Sequence, residues 1–411
     1  MSLIPAFSRG GRRGRTVRLH PRLPHLPRAL RRLCLLIVLM AGSPSPASEP
    51  VLTLASDSEA RWVPFELTPG NQIRFTLVLD GRPVTAMLDT AVSHSAIGRA
   101  YAGRAGIATR RGGPAAAIGG SATIGWAPSR SIAFGGLQRD GGMLAVIDLS
   151  REATGGDGAV DMLVGADLLR SYALDIDYPA RRFRLLRSGR LPFSGTRVPL
   201  TIGTPLSFYL TELTIDGRRL RPMAIDTGDG GALTLSGEAW RTLGDPGAPT
   251  TSTIGHGLAG VAVSDLMILP ALQLGTLELR DTETGIERRG GYSSTIGIAG
   301  RIGAGLLRRY RVLLDPGAGQ MVLSPGPEAG APPVRSTSGL LLEARDGALV
   351  VAHVMQGGPG AAAGWSIGER ICTVDGASPP PGDWAVGTPG RTVTLGLCNG
   401  EERRLTLARF Y

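Results

Sequence analysis

The stretch "MLDTAVSH", residues 87–94, is answered much later in the chain by "AIDTGDGG", residues 224–231. Each has two apolar residues, then Asp-Thr, then small residues. The likeness extends outward in both directions. Upstream, "FTLVLDGRPVTAMLDTA" matches "YLTELTIDGRRLRPMAIDTG": alternating strand, Asp-Gly-Arg turn, strand, Asp-Thr. Alternation around an Asp-Gly pair is a hairpin signal. Downstream, "LVGADLLRSYALDIDYP" parallels "RIGAGLLRRYRVLLDP", aligning Gly165 with Gly303, Tyr172 with Tyr310 and Asp177 with Asp315. Asp89 precedes Gly165 by 76 residues and Asp226 precedes Gly303 by 77. Two motifs in the same order at nearly equal spacing indicate an internal duplication. Between them "ATIGW" (122–126) echoes "STIGH" (252–256), and "IAFGGL" echoes "LQLGTL". The regular structure expected is mostly strand, with one short helix per half in "GADLLRSY" and "GAGLLRRY".

Composition supports a β-rich protein. Its 411 residues include 60 Gly, 30 Pro and only 5% aromatics, a mix suited to short strands joined by turns. The net charge of +10 invites a nucleic-acid reading, but nine of the arginines lie in residues 1–32 without an acid among them. The remainder carries +1 and offers no footprint for a phosphate backbone. The basic start runs into "LCLLIVLMAG" (33–42) and then "SPSPASEP". Basic segment, short apolar run and small residues make an export signal, and the run is well short of the ~20 residues of a spanning helix. The expectation is a periplasmic or secreted protein, touching membrane only if that segment stays uncleaved as an anchor. Two cysteines follow it, Cys372 and Cys398; a disulfide and two buried thiols are equally compatible with the sequence. The five histidines are scattered, and no Cys/His spacing suggests a metal. No cofactor is expected.

A lone Asp-Thr is usually a turn. Two of them, ending apolar strands in duplicated halves, would meet on a pseudo-twofold axis and bring Asp89 beside Asp226. Like charges that close cannot both ionise, so the pair keeps one proton. The ionised member can draw a proton from a water while the protonated member polarises a peptide carbonyl. Thr90 and Thr227 are placed to bond across to the opposite loop, and the small residues Ala91 and Gly228 let backbone N–H groups approach the carboxylates. The neighbouring Asp229 is expected to point to solvent. His94 is expected to pack near or outside the cleft, since an Asp pair needs no His.

These motifs resemble the retropepsin-type aspartic peptidases in a bacterial form with two fused halves. The resemblance rests on "MLDTAVS", "AIDTGDGG", "MLVG" and "GRIG" and covers roughly residues 70–325. It implies an all-β fold of two pseudo-twofold-related barrel lobes, a polypeptide substrate, and hairpin flaps over the cleft. The flap candidates are Thr123, Gly125 and Trp126 in one half and Gly255 and His256 in the other. The sequence departs from the family in having Ala91 where Gly is usual. Two functions stand: endopeptidase by Asp89 and Asp226 with one water, or a catalytically inactive scaffold that binds peptides.

Beyond a Pro/Gly/Ser linker, "SGLLLEARDGALVVAHVMQGGPGAAAGWSIGERICTVDG" resembles a PDZ domain. That resemblance assigns Gly339, Leu340, Leu341 and Leu342 to a loop and strand whose N–H groups take the C-terminus of a polypeptide; the alternative is a small β-unit that only packs on the lobes. The domain organisation expected is a signal or anchor over 1–48, an N-terminal lobe over 49–190, a C-terminal lobe over 191–325, a linker over 326–337 and a PDZ-like unit over 338–411. The arginine-rich "ARRFRLLRSGR" reads as a solvated strand edge.

Overall fold

The computed structural model describes residues 50–156, 158–204, 206–244, 250–378 and 382–411. The export-signal expectation for 1–48 lies outside them. The described residues form four sheets of eleven, six, eight and five strands, an all-β architecture.

The expected Asp-Gly hairpins are both present. Strand Ile73–Leu79 pairs with Arg82–Leu88, and Tyr209–Ile215 with Arg218–Asp226. Each turn puts two consecutive residues at positive φ, Asp80 (52°) with Gly81 (83°) and Asp216 (48°) with Gly217 (72°). This is the twist a two-residue hairpin turn needs, and Asp-Gly tolerates it. The strand after each turn ends at the Asp-Thr. In the eleven-stranded sheet it lies parallel to Met162–Val164, which runs antiparallel to Ala96–Gly98, which in turn lies parallel to Met143–Ile147. The eight-stranded sheet repeats the pattern with Gly300–Gly303, Leu233–Leu235 and Leu277–Glu287.

The six-stranded sheet joins the two halves. Ala173–Asp177 and Tyr310–Asp315 pair antiparallel, with Leu174 opposite Leu314 and Ile176 opposite Val312. In the alignment of the repeats Leu174 corresponds to Val312 and Ile176 to Leu314, so the pairing is reciprocal, as at a twofold axis. One apolar core runs under these three sheets. The five-stranded sheet has its own core around Val351, Trp365, Ile371, Trp384 and Leu395, and a Cys372–Cys398 disulfide ties its middle strands.

Several expectations need correction. The halves hold more helix than one short turn each: Arg99–Ala105 and Gly237–Leu243 are additional, as is Tyr292–Thr295. Near the start of the second half, Thr196–Pro199 adds a strand to the six-stranded sheet. The arginine-rich strand Arg182–Leu186 is no solvated edge, because it lies between Ala173–Asp177 and Val63–Pro64. Its Arg184 bonds the fully buried Asp175 at 2.9 Å, and Arg182 and Arg184 stack on Trp62 at 4.2 and 4.1 Å.

Candidate active site

Asp89 and Asp226 are carried to one place by the two parallel strand pairs, and the threonines lock them there. Thr90 Oγ1 donates to Ile225 O at 2.6 Å and accepts from Thr227 N at 3.1 Å. Thr227 Oγ1 donates to Leu88 O at 2.8 Å and accepts from Thr90 N at 3.1 Å. Both threonines are fully buried. Each hydroxyl thus satisfies a buried donor and a buried acceptor of the opposite loop, groups that would be costly to leave unpaired.

The carboxylates are 8% and 5% exposed. Asp89 accepts from Ala91 N at 3.0 Å; Asp226 accepts from Gly228 N and Asp229 N, both at 3.0 Å. Asp89 lies against the opposite loop so closely that a Cβ on Gly228 would fall 2.5 Å from its Oδ2. Only glycine fits there, whereas its counterpart Ala91 carries a methyl group. Burial, opposed by the Ala91 amide, raises the Asp89 carboxyl to about 6. Burial also raises Asp226 well above its ordinary value, with the charges of Asp89 and Asp229 adding to the effect and Arg301 opposing it. The two titrate as a pair that holds on to one proton.

Asp229 does not point to solvent, contrary to expectation. Its carboxylate accepts from Gly231 N at 2.9 Å and pairs with Arg301 Nε at 3.1 Å. Arg301, 5% exposed at the side chain, also reaches Asp226 at 3.5 Å and Glu287 at 2.6 Å, and donates to Ser293 Oγ at 2.8 Å. In the first half the same place on the strand is Leu163, so one carboxylate of the pair has a cation beside it and the other does not. Tyr292 stacks on this guanidinium at 5.4 Å, and burial raises its hydroxyl pKa. Sequence reasoning missed Arg301 and Tyr292. The only signal for Arg301 was an arginine inside the otherwise apolar "GRIG", and Tyr292 gave none.

A cavity of about 1400 Å³ is bounded by the loop Gly228–Leu233, by Arg301 and Tyr292, and by two hairpins. The first hairpin pairs Arg110–Ala117 with Gly120–Pro128, the second Thr250–Gly257 with Gly260–Leu274. Their tips meet, Ala259 N donating to Ile118 O at 3.1 Å. Gly255 and His256 line the cavity. Thr123, Gly125 and Trp126 do not; residues 116–120 reach it instead. The two echoes are not equivalent, since "ATIGW" is on the returning strand of its hairpin and "STIGH" on the outgoing one. Trp126 packs in a small cluster with Met87 and Leu163, its ring 5.5 Å from His94, which stays out of the cavity. The segment Thr68–Gln72 braces the second loop, with Asn71 Nδ2 bonding Gly230 O at 3.0 Å and Gln72 Nε2 bonding Gly228 O at 3.3 Å.

The loop assigned to capture a polypeptide terminus has its donors occupied. Thr337 N and Ser338 N both donate to Ala385 O, Gly339 N to Ser336 Oγ and Leu340 N to Ser338 Oγ. Leu340 is 2% exposed. Gly339 and Leu340 therefore do not offer their amides to a carboxylate; Leu341 and Leu342 line the cavity.

Residues 75–168 match the family model described as aspartyl protease. The match contains Asp89 and the strand Met162–Val164 and ends before Asp226. No curated protein matches the sequence.

Proposed function

We propose that the protein is an aspartic endopeptidase in which Asp89 and Asp226, sharing one proton, activate a single water against a peptide carbonyl. The observation that carries this reading is the reciprocal Thr90–Thr227 clamp, which holds two buried carboxylates about one pseudo-twofold axis. The ionised carboxylate takes a proton from water as the water oxygen bonds the carbonyl carbon. The protonated one gives its hydrogen to the carbonyl oxygen, leaving a gem-diol. Collapse of the diol breaks the C–N bond: the carboxyl that took the water's proton gives it to the leaving nitrogen, and a diol hydroxyl returns a proton to the other carboxylate. The aspartyl-protease match over 75–168 supports the class, and a polypeptide substrate follows from it.

The same reading treats residues 49–190 and 191–325 as the two lobes and 338–411 as a PDZ-like unit. It treats 1–48 as an export segment delivering the protein to the periplasm or beyond. The Cys372–Cys398 bond fits an oxidising compartment, and N-terminal sequencing of exported protein tests the leader. The function is tested by incubating the purified protein with a reduced, alkylated and so permanently unfolded α-lactalbumin from pH 4 to 8. Cleavage is expected, with a loss of at least ~1000-fold in Asp89→Asn and in Asp226→Asn. An intact substrate with all three proteins would refute hydrolysis and leave a peptide-binding scaffold.

A further inference from the structure

Tyr292 opens the short helix Tyr292–Thr295, and the chain is pinned on both sides of it. Ser293 N donates to Glu287 Oε2 at 2.8 Å, and Ser293 Oγ accepts from Arg301 Nη1 at 2.8 Å. A Cβ on Gly291 would fall 2.9 Å from Glu287 Cβ, so glycine lets the turn close against the strand that carries Glu287. Thr295 N and Ile296 N then donate to Gly291 O and Tyr292 O at 2.9 and 3.1 Å. The ring itself stacks on Arg301 at 5.4 Å, and the same guanidinium lies 3.5 Å from Asp226. The helix also packs against the strand Arg110–Ala117 of the first hairpin. Tyr292 thus stands between the two halves, one guanidinium away from Asp226.

Its hydroxyl, by contrast, is uncommitted. Tyr178 and Tyr209 also leave theirs without a partner, but sealed in the core. Tyr292 is half-buried and lines the cavity with Gly228, Asp229 and Arg301, and its hydroxyl makes no hydrogen bond among the described residues. Burial raises its pKa; the charges of Asp226 and Asp89 add to the effect and Arg301 opposes it. A hydroxyl that feels both carboxylates is near the place where a substrate carbonyl sits between them. It keeps its proton wherever the carboxylates titrate. A sheltered donor fixed before the reaction needs no reorganisation when charge develops.

We propose that Tyr292 is a third catalytic residue: its hydroxyl donates a hydrogen bond to the oxygen of the scissile carbonyl, and that bond strengthens as negative charge gathers there ahead of the proton from the dyad. Tyr292 keeps its own proton throughout, so the exchange between water, dyad and leaving nitrogen is unchanged. The first half has no aromatic residue between Ser150 and Val164, so the donor comes from the second half alone. The inference rests on the peptidase reading.

The test is Tyr292→Phe in the full-length protein, which keeps the ring on Arg301 and removes the hydroxyl alone. Because that hydroxyl makes no bond in the free protein, the melting temperature should stay. Kinetics are read on a fluorogenic peptide made from a mapped cleavage site in reduced, alkylated α-lactalbumin. We expect kcat to fall at least ~10-fold, and up to the ~100-fold of a full oxyanion donor, with KM within ~2-fold and the pH profile of kcat/KM unmoved. A tyrosine that acted only by seating Arg301 would move that profile. A second readout needs no turnover. A peptide of the same sequence carrying statine, whose tetrahedral carbinol stands in for the diol, should bind Tyr292→Phe at least ~10-fold more weakly than wild type; the analogue without that hydroxyl should bind both equally. A smaller fall in kcat, a loss carried by KM, a shifted profile or an unchanged statine affinity would each overturn the proposal. A wild type that cleaves beside a fully active Tyr292→Phe removes this inference alone. A wild type that cleaves nothing removes the peptidase reading and this inference with it.

Discussion

Replacing Arg301 by leucine, the residue at the matching place in the first half, is the sharpest test of how the dyad is tuned. Arg301 Nε lies 3.5 Å from Asp226 Oδ2, and both side chains are under a tenth exposed. With an effective dielectric of about 20, a unit charge pair at that distance is worth ~5 kcal/mol, a ceiling of ~3.5 pH units on the proton affinity of Asp226. The guanidinium is shared with Asp229 at 3.1 Å and Glu287 at 2.6 Å, so Asp226 receives only part of this. We expect ~1–2 units. Losing a cation favours the protonated dyad, so the pH profile of kcat/KM on unfolded substrate should move to the alkaline side by that amount. The charges facing Asp226 are Asp89, Asp229 and Arg301, with Glu287 and the Tyr292 hydroxyl around the guanidinium. Because Arg301→Leu leaves buried carboxylates unpaired and costs stability, Arg301→Leu/Asp229→Asn/Glu287→Gln is its companion. With opposing charges removed together, the triple variant should shift the profile by less than ~1 unit and melt higher than the single one. A profile that stays in place in a folded Arg301→Leu protein would refute the argument.

Three further outcomes are expected. The Asp89 carboxyl is raised in the folded protein from 3.8 to about 6, so ionising it destabilises the fold: the cost is absent below pH ~3.8, grows as pH rises and is complete above ~6. Asp89→Asn should therefore raise stability at pH 7 by up to ~3 kcal/mol, with the gain vanishing near pH 4, as chemical denaturation at the two pH values will show. Gly228→Ala should cost at least ~100-fold in kcat/KM because its methyl would strike Asp89, whereas Ala91→Gly, which removes a methyl at the matching place, should keep or raise activity. Thr227→Val should lose ~2–4 kcal/mol by thermal denaturation, since it leaves Leu88 O and Thr90 N buried without their partner.

The duplication made the dyad legible. A repeated Asp-Thr at the end of a repeated hairpin, with a repeated Gly segment at matching distance, left few other arrangements, and the Asp-Gly turns fell as their chemistry requires. What escaped was whatever the two halves do not share. Arg301 stands where the other half has Leu163, and Asp229 turns inward to that arginine and to the Gly231 amide. The hairpin tips were misplaced because a five-residue echo was weighed as homology although its copies occupy opposite strands of their hairpins. Arg182 and Arg184 looked solvated because their partners, Asp175 and Trp62, are distant or inconspicuous in sequence. The docking of the C-terminal sheet rests on scattered contacts, Ser252 with His353 and Met355 with Leu266 and Ile268 among them, which no periodicity announces.

The meeting of the two hairpin tips has a kinetic consequence. The bond from Ala259 to Ile118 joins two hairpins that line one cavity with the loop after Asp226, and Leu258 of the second tip packs on the first half's cluster around Met87 and Leu163. Parting the tips therefore costs a backbone bond and an apolar contact, a local opening rather than an unfolding. On the peptidase reading, a polypeptide enters end-first or when the tips part, and a tightly folded protein, with neither a loose end nor a slack loop to offer, would pass untouched.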